Sequence, residues 1–191
     1  MLRRVVLVVL LVPVVLGLGS LFLPSSYKVE RSQLMNGSPE SVYALLNTLK
    51  RWPEWAAWPV AHHPDTEIAY AGPEAGVGAS LTWQSKSSGT GGLKITGSEP
   101  AQGIRYEVEF EHGKYLCTGA IALRLVGEML EVTWTNQGEL GPNPVSRYFG
   151  LFMDNMMGPE METGLHHLQK KVEPKVKASR NVGRGEPNLA P

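Results

Sequence analysis

The sequence predicts an α+β domain in which an antiparallel sheet is covered on one face by one long C-terminal helix. Three observations predict it. From Ala79 to Thr135 apolar and polar residues alternate with period two, run after run, the pattern of half-buried strands. The connectors between these runs are short, so successive strands pair antiparallel. The stretch Asn143 to Val172 carries Val145, Phe149, Phe152 and Met156, then Met161, Leu165, Leu168 and Val172, at helical spacing. No other segment beyond Pro24 is as long or as apolar on one side, so this helix is the natural cover for the sheet.

The elements follow in chain order. Val5 to Leu23 is apolar throughout, about 19 residues and roughly 28 Å as a helix, close to the thickness of a bilayer's hydrocarbon core. Pro13 does not exclude a membrane helix. A cleaved signal peptide is the rival reading. It would have a shorter apolar region followed by a small-x-small site, and Gly17-Leu18-Gly19 matches that weakly, with more apolar residues after it. The expectation is therefore an uncleaved transmembrane anchor. Arg3 and Arg4 before the run favour a cytoplasmic N-terminus, with everything after Pro24 on the far side of the membrane.

Tyr27 to Met35 is the first strand, and Asn36-Gly37 a turn. Ser38-Pro39-Glu40 starts a helix: a serine cap, proline at the first position and an acid in the first turn. Val42, Leu45, Leu46 and Leu49 share a face, and the helix is expected to end near Arg51 because Pro53 disfavours helix before it. Trp52, Trp55 and Trp58 then fall within seven positions, as a hydrophobic plug or as the rim of a cavity for an apolar ligand. Gly76-Val77-Gly78 opens the meander. Its strands carry Leu81 and Trp83; Leu93 and Ile95; Ile104, Tyr106, Val108 and Phe110; Cys117, Ile121, Leu123 and Leu125; and Leu130, Val132 and Trp134. Asn143 caps the long helix and Pro144 takes its first position. Gly158-Pro159 is expected to break or kink it midway. From Pro174 the chain is rich in Pro, Gly, Asn and Lys/Arg and reads as a disordered basic tail.

The formal charge of the 191-residue chain is zero, but residues 25–173 hold 12 Lys/Arg and 17 Asp/Glu, a net of −5. An acidic domain without a basic stripe is a poor nucleic-acid binder. Cys117 is the sole cysteine, so no internal disulfide forms. His62 and His63 are adjacent on an extended segment and point to opposite sides, so they do not read as metal ligands. His166 and His167 are about 100° apart on a helix and do not pair either. His112, Asp154, Glu160 and Glu162 are the other ionisable candidates. Asp154 lies near the apolar stripe and Glu160 follows the expected kink; the ordinary reading of both is a solvated helix face, and the alternative is a cavity acid or base. No phosphate-binding loop, HExxH or serine-elbow motif is present. The sequence assigns no catalytic residue, no metal and no cofactor.

The order strand, short helices, meander, long helix resembles the helix-grip fold of the START and pollen-allergen superfamily. Local residues resemble bacterial polyketide cyclase/dehydrase-like SRPBCC proteins over about Val29 to Lys171. The carriers are Val29-Glu30-Arg31-Ser32, Ser38 to Tyr43, Arg51 to Trp55, Gly76-x-Gly78 with Trp83, Gly92-Leu93-x-Ile95 with Pro100, Ile104-x-Tyr106, and Gly158-Pro159-Glu160 with Gly164-Leu165. The resemblance implies a curved antiparallel sheet wrapped around the C-terminal helix, with a hydrophobic cavity between them. It implies no single reaction, because members include cyclases, lipid carriers and hormone receptors. The domains are then residues 1–24, an anchor; 25–173, the helix-grip domain; and 174–191, the tail. The expected cavity lining is Trp83, Ile104, Tyr106, Val108, Phe110 and Trp134 from the sheet, and Phe149, Phe152, Met153 and Met156 from the helix. The expected function is a membrane-anchored binding or carrier domain for a hydrophobic or lipid-like small molecule. The alternatives are a cyclase-like enzyme with one buried acid or base, and a protein-interaction domain whose groove is filled by side chains.

The anchor reading has a direct test. A reporter enzyme fused after Pro191 is expected to be active only outside the cytoplasm. Cytoplasmic activity refutes the topology, and an N-terminus recovered beyond Leu23 shows cleavage instead.

Overall fold

A computed structural model describes residues 11, 15–57, 64–87 and 89–173. The first part of the apolar N-terminal run, Trp58, His62, His63 and the tail lie outside the described residues. Among those described, no helix is long and apolar enough to cross a membrane.

The sheet has seven strands: β1 (Ser26–Met35), β2 (Glu67–Ala71), β3 (Ser80–Ser85), β4 (Gly89–Glu99), β5 (Gly103–Phe110), β6 (Tyr115–Val126) and β7 (Met129–Glu139). Their spatial order is β1-β7-β6-β5-β4-β3-β2, and every neighbouring pair is antiparallel. Thus β2 to β7 form a continuous meander, while β1 returns to pair with the last strand, Arg31 opposite Trp134. The alternation that marks the strands in sequence turns one face inward. On β5, Ile104, Tyr106 and Val108 are buried while Arg105, Glu107 and Glu109 face solvent. Leu125 is in phase with Ile121 and Leu123 but exposed, because the end of β6 extends past the covered part of the sheet. The periodicity assigns no strand to Glu67–Ala71. It pairs with β3 at the sheet edge with only Ile68 half-buried, too little apolar content to mark it. Asp65, just ahead of it, accepts hydrogen bonds from Ser85 Oγ and from the Lys86 and Ser87 amides, fixing the β3–β4 turn.

Helix α1 (Pro39–Leu46) begins as its residues dictate: the Ser38 side chain accepts from the Ser41 amide, with Pro39 in the first turn. It does not run on to Arg51. It stops at Leu46, and a 3-10 helix, Leu49–Glu54, follows with Pro53 inside it. The carbonyls a longer helix would use are taken otherwise: Leu46 O accepts from the Trp52 indole at 2.8 Å and Asn47 O from the Gly76 amide at 3.0 Å.

The C-terminal helical region divides into α2 (Pro144–Gly150), capped by Asn143, and α3 (Met153–Val172). The break lies at Leu151–Phe152, and α3 passes through Gly158-Pro159 without interruption, contrary to the sequence expectation. Pro159 and Asn155 are both exposed, so the lost hydrogen bond is on the solvent side of the helix, where water compensates it. Gly158 is there for packing. A Cβ at this position would come within 2.1 Å of Arg31 Nη2. The Arg31 guanidinium lies across the glycine and reaches one turn each way, bonding both Asp154 oxygens at 2.8 and 3.0 Å and Glu162 Oε1 at 2.6 Å. Farther along, Gly164 receives Trp134, the cross-strand neighbour of Arg31. Met161, Leu165 and Leu168 complete a dry seam with Val29, Met35 and the α1 face. Burying each such side chain stabilises by roughly 1.5–3 kcal/mol.

Arg31 holds the Asp154 carboxyl below its ordinary value of 3.8, through hydrogen bonds first and charge second. A depressed folded-state value means the stabilisation is present above about 3.8 and is lost as pH falls through the lower folded value. The variant Arg31→Met is therefore expected to have a lower urea midpoint than wild type near neutral pH, with the deficit shrinking in acid. A deficit independent of pH would show that packing, not the ion pair, is what Arg31 supplies.

Candidate functional site

Where α3 and the sheet diverge, on the N-terminal side of Gly158, a cavity of about 690 Å³ opens between them. Its inner wall comes from the strands. Trp134 and Asn136 follow each other on the inward phase of β7, Tyr106 and Val108 on that of β5, with Leu93 from β4 and Cys117 from β6. Met153, Met157 and Met161 close it from the helix, and Trp52 from the 3-10 turn. The mouth is formed by Phe110, Tyr115 and Leu116 on the β5–β6 hairpin and by Val145, Phe149 and Met156 on α2 and α3. These six are apolar or aromatic, and all are exposed, Val145 to 74% and Leu116 to 64%.

Room for the wall residues comes from glycines directly across the sheet. Tyr106 is paired with Gly119, where a Cβ would come within 2.1 Å of the ring, and Tyr27 with Gly138, where it would come within 2.8 Å. Each ring can therefore lie down against the neighbouring strand instead of filling the space above it. Trp83 does the same over Gly91.

The polar groups of the wall form one chain. Trp134 Nε1–H donates to Tyr106 Oη at 2.7 Å, and Tyr106 donates to Asn136 Oδ1 at 2.7 Å. Asn136 Nδ2 donates to the Met161 sulfur at 3.5 Å. Burial raises the pKa of Tyr106, against the opposing pull of its two hydrogen bonds. Burial also raises those of Tyr27 and Cys117. All three are neutral at physiological pH, so the inner cavity carries no charge. Glu139 and Glu160 stand in the lining, and partial desolvation raises the Glu160 carboxyl. Among the described residues no lysine, arginine or histidine lines the cavity.

Of the sequence-expected lining, Tyr106, Val108, Phe110, Trp134, Phe149, Met153 and Met156 meet at this cavity. Ile104, Trp83 and Phe152 do not. Ile104 is buried deeper in the core opposite Ile121. Trp83 stacks edge-on against Phe110 and lines a separate depression with Glu109 and His112. Phe152 is exposed at the α2–α3 break, which turns it off the stripe. Of the expected rim, Trp52 is a buried wall residue. Trp55 is fully buried behind it, 5.4 Å between ring centroids from both Trp52 and Trp134, and Trp58 lies outside the described residues. Asp154 is the partner of Arg31 on the outer side, and His166 and His167 are exposed. Among the described residues no three His, Cys, Asp or Glu side chains are grouped to hold a metal ion. Sequence reasoning missed Tyr27 and Asn136. The signal for Asn136 was available: it continues the inward phase Leu130, Val132, Trp134, where a polar residue is out of place.

The family described as polyketide cyclase/dehydrase and lipid transport matches residues 26–173, and the chain belongs to that family. No curated protein matches the chain in sequence. Solved structures share the fold at low identity. One is the di-domain aromatase/cyclase StfQ of the steffimycin biosynthetic pathway, at TM-score 0.58 and 10% identity. That match covers 77% of this chain and 50% of StfQ, so this chain spans half of that protein. Another is a norcoclaurine synthase point mutant from Thalictrum flavum bound to a transition-state analogue, at 0.54 and 14%, covering 77% and 94%. A third is a protein from Chromobacterium violaceum, at 0.54 and 16%, covering 77% and 97%. The architecture is the helix-grip fold, a seven-stranded antiparallel sheet closed by a C-terminal helix.

Removing the Tyr106 hydroxyl leaves the Trp134 N–H and the Asn136 carbonyl oxygen buried without partners. Tyr106→Phe is expected to cost about 1–3 kcal/mol of unfolding free energy, measured by urea denaturation. Unchanged stability would mean that the chain of hydrogen bonds is dispensable.

Proposed function

We propose that this protein is a membrane-anchored binding or carrier domain that holds one hydrophobic, lipid-like small molecule between the sheet and the C-terminal helix. The observation that carries the reading is the cavity: about 690 Å³, uncharged within, with apolar walls and an apolar mouth. Ligand sites of roughly 300–1,000 Å³ bury most of a small molecule's surface. Methionines on the helix side suit a wall that adapts to varied apolar shapes.

The membrane half of the reading rests on the apolar Val5–Leu23 run and on how its end meets the domain. Residues 15–20 are helical. Arg147 donates to Ser20 O and Leu23 O, and Tyr148 to Leu16 O. Both donors are on α2, which also supplies Val145 and Phe149 to the mouth. Leu21 and Phe22, just beyond, are exposed. One lip of the cavity is thereby tied to the end of the apolar segment, which supports a ligand exchanged with the bilayer.

A cyclase-like enzyme is the second reading. Glu160 supports it, as a carboxyl facing the cavity with a raised pKa that suits a general acid.

The full-length protein in detergent is expected to bind the neutral apolar dye N-phenyl-1-naphthylamine saturably, at one molecule per chain. Met153→Trp, which fills the cavity, should weaken that binding. Absence of saturable binding by the wild type sinks the carrier reading and moves the protein-interaction reading to first place. Cyclisation of a poly-ketone substrate, abolished by Glu160→Gln, would put the enzyme first.

A further inference from the structure

Asn136 gives the inner wall a hydrogen-bond donor without a matched acceptor, and the network around it fixes which atom that is. An indole N–H only donates, so the Tyr106 oxygen accepts from Trp134. The phenolic proton must then go to Asn136, which requires the amide oxygen to face Tyr106. Were the amide reversed, Tyr106 would receive two donors and its own proton would have no acceptor. Asn136 Nδ2 is therefore the free end of the chain. Its one partner among the described residues is the Met161 thioether at 3.5 Å, a weak acceptor that occupies one of two N–H groups. Asn136 is 5% exposed and lines the cavity. A side chain so buried ordinarily has its donors paired.

The electrostatics limit what can pair with it. Among the described residues the lining has carboxylates at Glu139 and Glu160 and no cationic side chain. A ligand carboxylate or phosphate at the inner wall would lose its hydration and gain no counter-charge there, since the nearest cation, Lys114, lies over the Tyr115 ring at the mouth. A pure hydrocarbon would leave the amide N–H unpaired. A carbonyl is an acceptor only, so it pairs with the N–H and brings no donor of its own to satisfy.

Resting on the cavity-binding reading above, we propose that the ligand is a neutral apolar ketone or ester that enters carbonyl first, and that Asn136 Nδ2 is the donor that selects it over fatty acids and hydrocarbons.

The test uses the full-length protein in detergent, with displacement of N-phenyl-1-naphthylamine by tetradecane, tetradecan-2-one, tetradecanol and tetradecanoate. The ketone is expected to displace the dye about tenfold more tightly than the alkane, the factor one neutral hydrogen bond supplies. It should also be tighter than tetradecanoate. Asn136→Leu should still bind the dye but lose the ketone's advantage. The infrared carbonyl stretch of bound, isotopically labelled ketone should lie below its value in hydrocarbon solvent with the wild type, and return towards it in the variant. Equal affinity for ketone, alkane and tetradecanoate overturns the proposal while leaving the carrier reading intact. So does tighter binding of tetradecanol than of the ketone, or an unshifted carbonyl stretch. Failure of the wild type to bind even the dye overturns both. If Asn136→Leu does not fold, the wild-type order of ligands and its carbonyl stretch decide the matter.

Discussion

The contact between the Arg31 guanidinium and the bare backbone at Gly158 sets the height of the C-terminal helix above the sheet. Arg31 is on the inward phase of β1, where an apolar residue would be the ordinary choice, and its charge is answered by Asp154 and Glu162 from the turns on either side of the glycine. An exposed ion pair contributes little by itself. This one is a planar fork held by two carboxylates and the Glu30 carbonyl, which gives it direction as well as attraction. On the C-terminal side of Gly158 the helix lies close, with Gly164 against Trp134 and Met161, Leu165 and Leu168 buried. On the N-terminal side it stands off, and Met153, Met156 and Met157 look into open space. One helix thus serves as core at one end and as cavity wall at the other.

The sheet makes the complementary concession. A concave face lined with Tyr and Trp would ordinarily fill itself. Here the two tyrosine rings of the wall, Tyr106 and Tyr27, are opposite glycines, so their bulk spreads along the sheet rather than above it. The cavity is the volume released by Gly119 and Gly138 on one side and by the helix's departure beyond Gly158 on the other.

Much of the fold was legible in sequence because its signals are local. Ser38-Pro39 and Asn143-Pro144 cap helices wherever they occur, and the alternation on β5 admits one pairing of faces. What was not legible depended on partners distant in the chain. Gly158-Pro159 reads locally as a break, and only the presence of Arg31, more than a hundred residues earlier, makes it a seat. Trp83 and Ile104 have the right phase but the wrong depth, since phase says which face a side chain is on and not what lies over it. Phe152 has the spacing of the apolar stripe, and the break at Leu151–Phe152 turns it away. The edge strand β2 buries too little to announce itself. Tyr27 could be placed only once the register opposite Gly138 was known.

The pairing of β1 with β7 sets the order in which the domain can assemble. Strands β2 to β7 join neighbours along the chain, and each hairpin can close soon after its second strand exists. Val29 finds its partner only at Asn136, after everything between has been made. The entropy of closing that long loop must be met before β1 gains a single ladder bond, a topology that slows folding. During synthesis β1 is an open edge with Val29, Leu34 and Met35 uncovered, and its Arg31 has neither of its carboxylates. The charged residues Lys28, Glu30 and Arg31 are set along that waiting edge, and charges on an open strand disfavour its pairing with a neighbouring chain.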